Sequence, residues 1–276
     1  MTLPAPSVLR PFAALAATGL VLAACDREPV PPPAAPAEPV PAAPPAPVLI
    51  PALDRAGLLD ALSDAAAAYA AGQAPREQDS LVGRQFSIRS AFGCAGPDPR
   101  AGEAPGDGLA RWSWDETRET IRLTLTPGDW SDSALVAGTG DDSWEAVEGF
   151  WIPRPWMTGD GCPSVRPDPL AGPSTPSPQT AGLAAVHEAG GSRLGRRNGR
   201  AFSYTIRPEG DAPLARPADG WRVQMEGRLV AFPDGRAVRC RAAGPNQRPV
   251  CVAAVQMDRV AFLTADGTTL GEWRTG

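Results

Sequence analysis

Apolar residues are spaced at helical intervals in one early segment of the chain. Within residues 52–73 they include Leu53, Leu58 and Leu62, and Gly72 supplies a stop signal. The segment lacks the basic polar face that is typical of a helix lying on a membrane surface. It is therefore predicted to form one α-helix that docks on its own domain.

From residue 79 onward the apolar positions recur with a period of two, which is typical of half-buried β-strands. Ile121, Leu123 and Leu125 alternate with polar residues in this way. Turn signals such as Asn198-Gly199 separate the later strands. The pattern predicts a mainly β fold, a small antiparallel sandwich or barrel, preceded by one N-terminal α-helix.

A proline-rich stretch, residues 166–181, divides the predicted β region. Such composition is typical of an interdomain linker or of a long surface loop. A linker would leave two β subdomains, residues 79–165 and a β-meander over residues 182–276. A surface loop would allow a single composite sheet. The sequence leaves both organisations open.

The N-terminus carries an apolar stretch, residues 11–24, that is too short to span a bilayer. It ends in Leu22-Ala23-Ala24-Cys25. This ending resembles the lipobox of bacterial lipoproteins, in which a diacylglyceryl group is attached to the cysteine and the signal peptide is cleaved just before it. The resemblance covers residues 1–25 only. It implies a signal peptide over residues 1–24 and lipidation of Cys25, whereas the alternative is an ordinary secretory signal.

Residues 25–51 are rich in proline and alanine, a composition that favours extended polyproline II and cannot form a core. Directly after a lipidated cysteine, such a segment would be a tether, which favours the lipobox over an ordinary secretory signal. We expect a protein of the bacterial cell envelope that is lipid-anchored and faces the periplasm. Asp26 resembles the signal that retains lipoproteins in the inner membrane of enteric bacteria, and the outer membrane is the alternative.

Apart from Cys25, four cysteines remain, an even number that suits disulfides in an oxidising compartment. The segment Gly244-Pro245-Asn246-Gln247 is typical of a turn, which would bring Cys240 beside Cys251. Cys94 is then left for Cys162. No Cys-x-x-Cys motif accompanies them, so structural disulfides are favoured over a redox pair or a metal site.

Known signatures of catalysis are missing from the chain. There is no nucleophile elbow, P-loop, dinucleotide-binding or zinc-protease motif, and the single histidine, His187, lies in a segment without a nucleophile signature. We predict no catalytic residue, no cofactor and no metal. The net charge of −5 predicts no broad basic face and therefore no nucleic-acid partner.

One group of acids keeps a catalytic alternative open. Paired carboxylates can hydrolyse glycosidic bonds, and four acids are close together in the sequence: Asp141, Asp142, Glu145 and Glu148. Acidic turns are also common on solvated surfaces.

Tryptophan is unevenly distributed, since six of the eight lie between residues 112 and 156. Several of these rings are expected to fill the core of a small β domain. Trp151 and Trp156, which flank Pro153-Arg154-Pro155, are the pair predicted to be exposed and able to bind a sugar face or a protein.

A basic cluster surrounds the Asn198-Gly199 turn. Arginines at a hairpin tip can bind phosphate or carboxylate groups, although such loops are usually only solvated. The cluster consists of Arg193, Arg196, Arg197 and Arg200.

The sequence therefore favours a non-catalytic binding or assembly module of the envelope over a glycan-directed hydrolase. The expected partners are the membrane, through lipid on Cys25, and peptidoglycan or an envelope protein.

Overall fold

A computed structural model describes the body of the protein in seven stretches: residues 50–73, 79–98, 106–136, 144–164, 179–191, 195–210 and 212–274. They belong to one compact unit, Val48–Gly276. Several predictions concern residues outside these stretches: the signal peptide, Cys25, Asp26, nearly all of the tether, Asp141, Asp142 and Arg193. Within the described stretches, no helix is long and apolar enough to cross a membrane.

The predicted helix is present as α1, Arg55–Ala70. It begins after Asp54, whose carboxylate accepts a 2.8 Å hydrogen bond from the backbone N–H of Gly57. This bond satisfies one of the N–H groups that a first helical turn leaves free. Leu58 and Leu62 are buried in the main core, so the helix docks on its own domain.

Eleven strands and a single helix are present in the described residues, which confirms the predicted mainly β fold. The strands are β1 Gln85–Phe92, β2 Ala110–Asp115, β3 Thr120–Leu125, β4 Gly128–Asp129, β5 Trp144–Trp151, β6 Ala181–Glu188, β7 Phe202–Ile206, β8 Trp221–Leu229, β9 Val238–Arg241, β10 Val250–Leu263 and β11 Thr269–Arg274. Eight of them form a sheet in the order β1-β8-β10-β6-β5-β4, with β9 and β11 also paired to β10. The other three form a sheet in the order β2-β3-β7.

Strand β10 organises the larger sheet, because each half of it has a different pair of neighbours. Its first half lies between β6 and β9, and its second half lies between β8 and β11. On one edge, Val255 is the last residue paired with β6, and Arg259 is the first paired with β11. A gap between β6 and β11 therefore lies along the middle of β10, beside Met257.

The two sheets pack on each other as a sandwich with a shared core. Phe150 of the larger sheet and Phe202 of the smaller one have ring centroids 6.4 Å apart. The ring centroids of Trp112, in the smaller sheet, and Trp221, in the larger sheet, are also 6.4 Å apart. In the described part of the chain the sheets do not close into a barrel, so the sandwich is the architecture observed.

Strands from both sides of the proline-rich stretch pair directly with each other. β1 pairs with β8, and β3 pairs with β7. The chain therefore does not divide into subdomains 79–165 and 182–276. The second segment is also not a meander, because β7 joins the smaller sheet and β6 runs parallel to β10. That parallel pair makes the larger sheet mixed instead of wholly antiparallel.

The predicted cysteine pairing is confirmed, with disulfides between Cys94 and Cys162 and between Cys240 and Cys251. Cys240 and Cys251 lie opposite each other in the β9–β10 ladder, as the turn between them predicted. Cys94 follows β1, and its bridge connects the end of that strand to the loop after β5.

A second apolar cluster covers the opposite face of β5 and β6. It includes Val147 and Ala184 from these strands, together with Trp130 and Phe232 from loops. A side chain at Gly149 would collide with the Trp130 ring, so glycine permits the ring to lie against β5. Strand β5 is therefore buried on both faces: Phe150 packs in the sandwich core, and Val147 and Trp151 pack on the second cluster. A register shift between Trp144 and Ala146 interrupts this alternation at the start of the strand.

Candidate functional site

The structure separates the two tryptophans that the sequence predicts as an exposed pair. Trp156 is 59% exposed. Trp151 is only partly accessible, because it packs on the second apolar cluster with its ring centroid 4.6 Å from that of Trp130. The expectation that several tryptophans between residues 112 and 156 fill the core agrees with the burial of Trp112 and Trp130. Among the tryptophans of the described residues, Trp156 is the one that is mainly exposed.

Residues 153–162, here named the Trp156 loop, are held by a buried arginine. Arg55 is 5% exposed, and its guanidinium donates to the carbonyls of Pro153, Arg154 and Met157 at 2.7, 3.1 and 3.1 Å. It also donates to the Ser90 hydroxyl at 2.7 Å. Burial lowers the pKa of Arg55 to about 10, which leaves it charged at neutral pH. A single cation thus replaces water around three backbone carbonyls.

Three further contacts fix the same loop to β1. The Cys94–Cys162 disulfide closes its end, Arg89 and Asp160 form a 2.9 Å ion pair, and Arg154 donates to a β1 carbonyl at 2.5 Å. A loop restrained at so many points loses little conformational entropy when it binds. The backbone that carries Trp156 is therefore preorganised.

The second predicted cluster forms a turn at residues 195–201, here named the arginine turn. Glu148 of β5 reaches it from the core side and is 7% exposed. Its Oε1 accepts hydrogen bonds from the backbone N–H groups of Arg197 and Asn198, at 2.7 and 2.8 Å. Asn198 has φ +52°, a left-handed conformation that asparagine tolerates well. The predicted acidic and basic clusters, which are distant in sequence, therefore meet at this turn.

The three described arginines of this turn have different partners. Arg196 forms a 2.5 Å ion pair with Glu145. Arg197 lies over the Phe202 ring, 4.6 Å from its centroid. Arg200 is exposed and donates from Nε to the Arg197 carbonyl at 3.1 Å, and no carboxylate of the described residues lies within ion-pair distance of it. Burial lowers the pKa of Arg197, and the positive charge of Arg200 lowers it further.

His187 of β6 lies beside Glu148, although no sequence signal groups the two residues. Its Nε2 is 3.8 Å from Glu148 Oε2, and this nitrogen is buried without a hydrogen-bond partner among the described residues. An unpaired buried polar atom is uncommon and calls for an explanation such as a bound ligand.

These side chains line a cleft of about 390 Å³, here named the arginine cleft. It opens at the edge of β10 between the end of the β6 pairing, at Val255, and the start of the β11 pairing, at Arg259. Met257 of β10 and Trp273 of β11 form apolar walls with Phe202 of β7. The described lining contains no serine, threonine or cysteine that could act as a nucleophile. Within the described residues, no three His, Cys, Asp or Glu side chains converge as they would around a metal ion.

Sequence reasoning found part of this cleft and missed the rest. Arg196, Arg197, Arg200 and Glu148 carried signals of charge clustering. His187 and Trp273 carried none, because only the pairing of distant strands brings them to the same place.

Comparisons with family models, curated proteins and solved structures find no match for this chain.

Proposed function

We propose that this chain is a lipid-anchored lipoprotein of the bacterial envelope and that its β body is a non-catalytic module binding the glycan strands of peptidoglycan. The observation that carries the binding proposal is the exposed Trp156 on a loop fixed by Arg55 and by the Cys94–Cys162 disulfide. Rigid aromatic anchors are the residues that most often dominate binding energy.

A glycan fits the surroundings of Trp156 better than a protein does. The large exposed apolar residues of the described chain are Ile50, Tyr69, Val82 and Trp156, so no second exposed large apolar residue lies on the Trp156 loop. The half-exposed Asp160 of the same loop, with its partner Arg89, adds hydrogen-bonding groups. A sugar offers an apolar C–H face to an aromatic ring and hydroxyls to such polar groups.

The anchor proposal is supported by the N-terminal sequence. Leu22-Ala23-Ala24-Cys25 resembles a lipobox, and two or three acyl chains hold a protein on a membrane far more firmly than one. The proline-rich residues 25–51 would reach up to about 80 Å if extended at about 3.1 Å per residue. That reach would bring the body to peptidoglycan from either envelope membrane.

The anchor is tested by Cys25→Ser in the producing cells. We expect the variant to leave the membrane fraction and to lose labelling by a fatty-acid analogue. A variant that still sediments with membranes would show that Cys25 is not the anchor.

The binding site is tested by retention of the full-length protein, in mild detergent, on purified peptidoglycan sacculi. Trp156→Ala should lower the affinity about thirtyfold, the effect of losing a hot spot of about 2 kcal/mol. Trp156→Phe should keep much of the affinity, because it keeps an aromatic face. Tyr69→Ala, which removes an exposed aromatic ring from the helix, is the matched control and should bind normally.

Unchanged retention of Trp156→Ala would contradict the proposal. Loss of a co-purifying envelope protein from this variant, with sacculus binding unaffected, would replace the glycan by a protein partner. Because Trp156 is mostly exposed, melting curves of the variant and the wild type should coincide.

The alternative, a glycan-directed hydrolase, is favoured only by the closeness of Glu148 and His187 in a cleft. Glu145 is engaged by Arg196, and Glu148 by two backbone N–H groups. Glycan cleavage by the wild type that disappears in Glu148→Gln would establish the hydrolase.

A further inference from the structure

The arginine cleft carries an uncompensated positive charge. Its charged groups are largely balanced within the protein: Arg196 is paired with Glu145, and Arg274 with Glu272 at 3.1 Å. Glu148 is satisfied by backbone N–H groups of the arginine turn. Arg200 remains as a cation whose side-chain hydrogen bond goes to a carbonyl. One negative charge on a ligand would therefore balance the charge of the cleft.

Two cations on the same short turn strengthen this conclusion. Arg200 lies close enough to Arg197 for its positive charge to lower the pKa of Arg197. An anion placed between the two guanidinium groups would relieve that repulsion. It would accept charge-assisted hydrogen bonds from Arg200 and from Nη1 of Arg197, whose Nε and Nη2 donate to the carbonyls of Arg200 and Ala201. Carboxylate and phosphate groups match the planar guanidinium fork.

His187 supplies an independent observation. Its Nε2 is buried in the cleft wall with no hydrogen-bond partner among the described residues, and Glu148 Oε2 at 3.8 Å is too distant for a hydrogen bond. An oxygen of a bound molecule would satisfy this nitrogen. Without one, the buried nitrogen destabilises the fold.

The other walls of the cleft are apolar and well fixed. The rings of Phe202 and Trp273 meet edge to face with centroids 5.4 Å apart, and Trp273 also contacts Phe262 of the core. Met257, beside them, is a flexible apolar residue that adapts to ligands of different shape. Cavities of about this size that combine apolar walls with a few polar groups are typical of small-molecule sites.

We propose that the arginine cleft binds a small amphiphile with one anionic head group. The carboxylate or phosphate head lies at Arg197 and Arg200, an oxygen of the ligand meets His187, and the apolar part lies along Phe202, Trp273 and Met257. This site is separate from the Trp156 loop and does not depend on glycan binding.

The test is calorimetric titration of the full-length protein with decanoate, decyl phosphate, decyltrimethylammonium and acetate, below the micellar concentrations of the amphiphiles. The two anionic amphiphiles should bind at least tenfold more tightly than decyltrimethylammonium, because the head group meets cations. Acetate should bind at least a hundredfold more weakly than decanoate, because it buries no apolar chain. The tighter of the two anionic probes identifies the head group, carboxylate or phosphate.

Arg200→Gln should weaken decanoate binding about tenfold or more, since it removes a charged hydrogen-bond donor. Arg207→Gln is the matched control, because Arg207 is an exposed arginine after β7 that does not line the cleft. Equal binding of decanoate and decyltrimethylammonium, or equal loss in the two arginine variants, would overturn the proposal. Sacculus retention of Arg200→Gln should remain normal, so failure here is distinguishable from failure of the glycan proposal.

Discussion

Two loops of this molecule are held by single buried charges of opposite sign. Arg55 donates to three carbonyls of the Trp156 loop, and Glu148 accepts from two N–H groups of the arginine turn. Both side chains are more than nine-tenths buried. In each case backbone dipoles, instead of a full opposite charge, compensate for the loss of water. A buried charge in a β-sandwich can thus serve to fix a loop.

The two loops differ in what else restrains them. The Trp156 loop also has a disulfide and an ion pair that link it to β1 and the residues after β1. In the described residues, the arginine turn is instead held by hydrogen bonds, the ion pair between Arg196 and Glu145, and the contact of Arg197 with the Phe202 ring. The first arrangement suits a fixed aromatic contact. The second allows small adjustments around a ligand, as a cleft built for a small molecule requires.

The largest expected effect comes from removing the covalent restraint of the Trp156 loop. Cys94→Ala with Cys162→Ala opens a bridge between residues 68 positions apart, and Cys240→Ala with Cys251→Ala opens one between residues 11 apart. The chain-entropy model gives losses of about 4 and about 3 kcal/mol in the free energy of unfolding. Urea unfolding of both double variants measures the difference. A larger loss for the shorter bridge would show that loop entropy does not control these losses.

Removing the buried cation should cost slightly less. Arg55→Met leaves three loop carbonyls and the Ser90 hydroxyl without their donor, so we expect a loss of about 3 kcal/mol in the free energy of unfolding. The same variant should also weaken sacculus retention, because Trp156 would no longer be held in place. Arg89→Met, which removes only the half-exposed partner of Asp160, is the control and should cost less than about 1 kcal/mol. Equal losses in the two variants would contradict the role assigned to Arg55.

Removing the buried anion tests the other loop. Glu148→Ala should lower the free energy of unfolding by about 2 kcal/mol and weaken decanoate binding, because Arg197 and Asn198 lose the acceptor of their N–H groups. Glu148→Gln should cost less, since its amide oxygen still accepts. Glu145→Ala is the matched control, because it breaks a partly exposed ion pair, and thermal melting should show a smaller shift.

The elements that could be predicted from the sequence are those with local signals. Leu58 and Leu62 mark the helix because one helix face repeats within a few residues, and the alternation from Ile121 to Leu125 marks a strand in the same way. The Cys240–Cys251 bridge followed from the turn between the two cysteines. Strand partners could not be predicted in this way, because pairing of β6 with β10 depends on contacts between distant segments.

The disulfides also show why the sequence leaves the choice between one body and two subdomains open. Each bridge does join cysteines from the same side of the proline-rich stretch. A bridge fixes only the two points that it joins, however, and it leaves the strands on either side free to pair across the whole chain, as β1 and β8 do.

The candidate sites were predicted only where residues of one type cluster in sequence. A single arginine near the start of a helix, such as Arg55, looks like any solvated arginine until the loop of residues 153–157 folds over it. The difference between Trp151 and Trp156 has a similar cause. Trp151 continues the alternation of β5 and therefore faces Trp130, whereas Trp156 lies beyond the strand and is free of that constraint.

A third turn, between β8 and β9, lies at the surface. Its carboxylate should contribute less to the free energy of unfolding than the two buried charges do. The Asp234 carboxylate accepts hydrogen bonds from Arg236 Nε at 3.0 Å and from Arg239 Nε at 3.2 Å, and it fixes the turn between β8 and β9. Burial raises the pKa of Asp234, but the hydrogen bonds from Arg236 and the charges of both arginines outweigh it and leave the pKa below its ordinary value. A lowered folded-state pKa gives stability that is present above the unfolded value of about 3.9 and is lost as the pH falls through the folded value.

Asp234→Asn should therefore cost about 1 kcal/mol or less near neutral pH, because water screens this partly exposed group. Urea unfolding at about pH 7 and about pH 3 should show the deficit shrinking at the lower pH, where the wild-type carboxylate begins to be protonated. A deficit of equal size at both pH values would mean that the side-chain shape, and not its charge, fixes this turn. The charge-based account of the surface turn would then fail, while the two buried charges would still be tested by the Arg55 and Glu148 variants.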